Sequence, residues 1–220
     1  MSAKRDKHAT PPHGTPHGTA EENTAVYRFR ANWVAVVLTI VSIIQALALT
    51  RLADAIEKLH FMSQWSLAAV AFVVILRIFQ TYVTAAVEYE NWNARFLDLV
   101  FVFVVGLVEY ELIGRLEGTH FNARPSELWF AGLCALALLG HANAYREVGG
   151  RSEPSRTRER HLQMVNMTGA LLCFALTVVF MYEANASEAL IISIAAAQTL
   201  IIGFNTYYSV RVTLGVRSPH

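Results

Sequence analysis

Charge is what this sequence has least of: 18 Lys and Arg with 17 Asp and Glu amount to 16% of 220 residues, where a water-soluble domain carries about a quarter. The two signs nearly cancel, at a net +1, so the chain has no basic field of the kind duplex nucleic acid demands, and nucleic-acid binding is not expected. Cysteine is equally scarce. Cys134 and Cys173 both fall inside apolar runs, where a free thiol behaves as a small hydrophobe, and no disulfide framework follows. Catalytic signatures are missing too: there is no G-x-S-x-G elbow, no H-E-x-x-H helix and no phosphate-cradling glycine loop. An enzyme is therefore not the first expectation, and no cofactor is implied.

What the sequence has in abundance is hydrophobic side chains, 54% of the total. A bilayer core about 30 Å thick needs about 20 predominantly apolar residues per helix. Six stretches meet that need: about 32–50, 61–87, 96–113, 128–145, 162–182 and 189–210. The second holds only Arg77 and the third holds Asp98, Glu109 and Glu111, while the other four carry no charge. The expected fold is all-α, an integral membrane six-helix bundle over residues 27–217. Residues 1–26 are polar, with Pro-His-Gly-Thr occurring twice, and read as a disordered cytoplasmic tail. Its His8, His13 and His17 allow loose metal binding, but a solvated tail accounts for them as well.

Orientation follows from Lys and Arg in the short loops, because positive charge resists translocation. With the amino terminus inside, thirteen basic residues lie inside and four, Arg51, Lys58, Arg115 and Arg124, lie outside. Both termini are thus expected on the cytoplasmic side of a plasma or inner membrane. Arg151, Arg156, Arg158 and Arg160 crowd one inside loop and could attract anionic lipid or an acidic protein.

A weak repeat runs through the chain. Gln80-Thr81-Tyr82, Asn143-Ala144-Tyr145 and Asn205-Thr206-Tyr207 recur at spacings of 63 and 62 residues. Gln45 precedes Arg51-Leu52 as Glu109 precedes Arg115-Leu116. These spacings suggest three tandem helical hairpins inserted with one orientation, with sites at the interfaces between repeats.

Polar groups inside the spans are the candidate functional residues. A lone Arg77 mid-span costs about 2.5–3.5 kcal/mol even on a permissive scale, so it needs an anion or water, and Glu109 is the expected counter-charge. Arg77, Gln80, Thr84 and Glu88 share one helical face, as do Asp98 and Glu109, eleven residues apart. Gln45, Arg77, Glu109 and Gln198 fall near the midplane; Gln80, Asp98, His141, Asn143, Asn166 and Asn205 fall in the cytoplasmic half. His141 suits a proton relay by the ordinary neutral-range titration of imidazole. For the amides, interhelical hydrogen bonding is the more ordinary explanation.

On the outer side, Glu57-x-x-His60 and Glu117-x-x-His120 have ligand spacing for zinc or a similar ion if helical. Asn185-Ala186-Ser187 matches a glycosylation acceptor. The leading expectation is a small channel or transporter in the bilayer, with a homo-oligomer left open. The alternatives are a non-enzymatic sensor or assembly subunit that binds a cytoplasmic partner, and a metal-dependent membrane enzyme.

Overall fold

A computed structural model describes residues 20–88, 96–117, 121–147, 153–183 and 186–213. Among them are six helices and no strand: α1 (Ala20–Ile56), α2 (Met62–Glu88), α3 (Phe96–Gly114), α4 (Ala123–Glu147), α5 (Glu153–Tyr182) and α6 (Glu188–Thr213).

Apolar runs locate the middles of these helices, and capping chemistry sets their ends. α1 starts at Ala20, twelve residues before its apolar run, because Ala20, Glu21 and Glu22 are good helix formers and the two acids favour a helix N-terminus. Residues 20–26, assigned to the tail from composition, are therefore helical, and residues 1–19 lie outside the described residues. At the start of α2, the Gln64 side-chain oxygen accepts the His60 and Phe61 N–H groups at 2.6 and 2.9 Å, which satisfies donors the helix leaves orphaned. Asn122 accepts from the Arg124 N–H at 3.0 Å ahead of α4. Ser187 accepts from the Leu190 N–H at 3.2 Å as the N-cap of α6. The earlier start of α4 places Glu127 within the helix.

Five helices, α1, α2, α4, α5 and α6, contain segments long and apolar enough to cross a membrane, which fits a membrane protein. The third expected span, α3, has 19 residues and carries Asp98, Glu109 and Glu111. Large apolar side chains point away from the protein along the helices, among them Leu47 at 61% exposure, Phe103, Leu139, Leu172, Leu200 and Phe204. Water does not favour a surface of this kind, and hydrocarbon does.

The helices close a ring in which α1 contacts α2, α2 contacts α6, and α6 contacts α5; α5 then meets α4, α4 meets α3, and α3 returns to α1. The hairpin pairs α1–α2, α3–α4 and α5–α6 are each in contact, and each hairpin touches both others. They do so through different helices: α1 meets α3, α4 meets α5, and α2 meets α6. At Gly106 a Cβ would collide with Ile44, so the bare glycine lets α3 approach α1 there. Small residues at helix crossings serve this purpose in lipid.

Candidate functional site

Polar residues and thiols recur every seven positions along the inner faces of three helices: Glu127, Cys134 and His141 on α4, Asn166 and Cys173 on α5, Gln198 and Asn205 on α6. Seven residues are nearly two helical turns, so each set lies on one face, and Glu127 to His141 spans about 21 Å of helix. α2 adds Arg77 from the remaining side. The column has two polar layers separated by thiols and aliphatic side chains.

The first layer is a closed triad. Glu127, 1% exposed, accepts the Thr177 hydroxyl at 2.9 Å and the Gln198 amide at 3.2 Å. The same amide donates to the Thr177 oxygen at 3.1 Å. The Gln198 side-chain oxygen has no hydrogen-bond partner among the described residues.

The second layer is built on Arg77. Its guanidinium donates to Asn166 Oδ1 at 2.8 Å and to Gln80 Oε1. Asn166 Oδ1 also accepts the Ser209 hydroxyl at 3.3 Å. His141 Nδ1 lies 2.8 Å from Gln163 Oε1; an amide oxygen can only accept, so this contact keeps the proton on Nδ1 and leaves Nε2 as an acceptor in the neutral ring. A cavity of about 100 Å³ opens between these groups. Arg77, His141, Asn166 and Asn205 line it together with Val74, Phe130, Leu133, Cys134, Cys173 and Ile202. A Cβ on Gly169 would collide with the Asn205 amide, so the glycine provides the space that amide occupies.

The expected Arg77–Glu109 pair does not form. Glu109, 1% exposed, instead accepts the Gln45 amide at 2.9 Å. Ring order explains the exchange: α3 packs chiefly on α1 and α4, whereas Arg77 turns toward α5, so the two charges face different neighbours. Among the described residues Arg77 has no carboxylate within ion-pair distance. Asp98, on the same face of α3 as Glu109, is half-buried. The Glu88 side chain lies outside the described residues. Asn143 is exposed, since two residues past His141 is more than half a turn around the helix. The repeated amides are thus not equivalent: Gln80 is half-buried, Asn143 exposed and Asn205 buried.

The outer Glu and His residues are not brought onto one helical face. α1 ends at Ile56, so Glu57 and His60 are exposed in the connection that follows. Glu117 is occupied by Arg51 at 2.6 Å and Lys58 at 3.0 Å, two cations where a metal ion would have to sit. His120 lies outside the described residues, as do Asn185 and Arg151. Arg158 is exposed, Arg160 lies over the Tyr145 ring, and the Arg156 side chain is outside the description.

Glu127 is the residue that reading the apolar runs missed, because the fourth run starts one position after it. A signal for it does exist in the sequence. Ser63-Gln64, Ser126-Glu127 and Ser187-Glu188 recur at spacings of 63 and 61 residues. Each polar residue of the set reaches another hairpin: Gln64 donates to the Leu116 carbonyl at 2.9 Å, Glu127 accepts from Thr177 and Gln198, and Glu188 accepts the Ser63 N–H at 3.1 Å. Compared with protein-family models, curated proteins and solved structures, the chain matches none, and its function has to be argued from this geometry.

Proposed function

We propose that the chain is a small membrane transport protein, a channel or transporter, whose solute route follows the inner faces of α2, α4, α5 and α6. The proposal takes all six helices as crossings, with both termini on the cytoplasmic side. One observation carries it: Glu127 and His141 share one face of α4 about 21 Å apart, and polar residues of α5 and α6, among them Asn166, Gln198 and Asn205, join the two layers that they mark. Polar groups in an apolar span are costly, and where they line a common interior they mark ion or solute routes by default.

The layered arrangement favours gated passage over an open pore. The Glu127 triad closes one end with three mutually bonded side chains. Thiols and aliphatic groups fill the middle, and the cavity beside Arg77 forms the other chamber. A solute would exchange between the two layers as the helices shift. The test is flux through liposomes containing the purified protein. Wild-type vesicles should leak ions or small solutes faster than protein-free ones, and Arg77→Gln or Glu127→Gln should lower that rate about tenfold or more, the loss of a charged contact worth about 1.5–3 kcal/mol. Vesicles that remain as tight as protein-free controls would end the proposal.

A further inference from the structure

The cavity beside Arg77 has two unlike parts, and the contrast bears on what fits inside it. One wall is cationic and amide-rich. Arg77 has five N–H donors, of which protein contacts take two, to Gln80 and Asn166, both neutral. Asn205 lines the same space and makes no hydrogen bond among the described residues. A half-buried guanidinium with no carboxylate partner among the described residues is costly, and an anion with two oxygens in one plane relieves that cost best through paired N–H contacts. The remaining wall is apolar, including Phe130, Leu133 and Ile202. A purely inorganic anion would leave this wall against water, whereas an aliphatic group would cover it. At about 100 Å³ the space is smaller than a cavity that holds benzene, which suits a short chain.

We propose that this cavity binds a short aliphatic monocarboxylate, with its carboxylate on the Arg77 guanidinium and the Asn205 amide and its carbon chain against the apolar wall. This rests on the transport proposal in one respect, that the ligand is the solute carried, but binding can be measured separately from carriage. The test is calorimetric titration of the full-length protein in lipid nanodiscs with formate, acetate, propionate and butyrate, and with chloride and nitrate. Affinity should rise about fourfold per added methylene until the wall is filled. Arg77→Gln should weaken binding about ten- to a hundredfold.

Because Arg77→Gln can also disturb folding, Ala137→Leu serves as a second variant: Ala137 also lines the cavity, so the larger side chain fills the apolar side and should abolish butyrate binding while formate binding is retained. Chloride or nitrate binding as tightly as butyrate would overturn the proposal, as would carboxylate binding indifferent to both substitutions, or no binding of any anion. If carboxylates bind but no flux occurs, the transport proposal fails and the site stands. If flux of other solutes persists while no carboxylate binds, the site fails and transport stands.

Discussion

Glu109 and Gln45 meet between α1 and α3 with one hydrogen bond of 2.9 Å, and one oxygen of each side chain has no partner among the described residues. A half-satisfied buried pair of this kind contributes little as a whole but is costly to break on one side. Gln45→Leu alone should therefore lower stability by about 1–3 kcal/mol, because the carboxyl group is left with no donor. The double change Gln45→Leu with Glu109→Leu should recover most of that loss, since matched apolar side chains can replace a buried polar pair at little cost. Unfolding of the four proteins of this cycle in mild detergent checks the prediction; additive single effects would show that the contact is not made. Residue types foretold that Gln45, Arg77, Glu109, Asn166, Gln198 and Asn205 would avoid lipid. They did not foretell pairing, because whether Arg77 finds Glu109 or Asn166 depends on which helix lies alongside, and hydropathy carries no such information.

At the level of the helices, two glycines set close approaches with different consequences. A Cβ at Gly106 would meet the β-branched Ile44, whose χ1 is stiff on a helix, so α1 and α3 must move apart. Gly106→Ala should lower stability by about 1–3 kcal/mol, the usual range for overpacking, as read from the thermal unfolding midpoint. At Gly169 the obstacle is the end of the Asn205 side chain, which can swing aside. Gly169→Ala should leave the unfolding midpoint nearly unchanged yet reduce solute flux, because the displaced amide belongs to the cavity. A large loss of stability there would mean that the two helix backbones, and not the amide, bear the contact. The existence and order of the helices were legible in the apolar runs. Their ends were not, since a single residue such as Asn122, Ser187 or Gln64 fixes where a helix begins, and that shift decides whether Glu127 counts as buried.

For the whole molecule, the three hairpins are joined by a cycle of contacts and not by equivalent helix interfaces. Gln64 links the first hairpin to the second, Glu127 the second to the third, and Glu188 the third to the first. Those links gather at the ends of the hairpins joined by the connections after α1, α3 and α5, and this predicts that the three connections share one side of the membrane. The crossing of α3 is decisive for that arrangement, because α3, with three carboxylates in its 19 residues, is not among the five helices with segments long and apolar enough to cross. Single cysteines placed by Glu57→Cys, Glu183→Cys, Arg146→Cys and Arg158→Cys, all exposed positions, in a chain lacking Cys134 and Cys173, can be labelled in sealed vesicles by a maleimide that does not cross lipid. If α3 crosses, the first two label from one face and the last two from the other, with the arginine positions on the cytoplasmic face, where basic residues are retained. If α3 lies along the bundle without crossing, every later connection changes sides: positions 57, 146 and 158 would then label together and position 183 alone. That second pattern would separate Gln64 from the side on which Glu127 and Glu188 lie, and the cycle of hairpin contacts could not exist in the membrane.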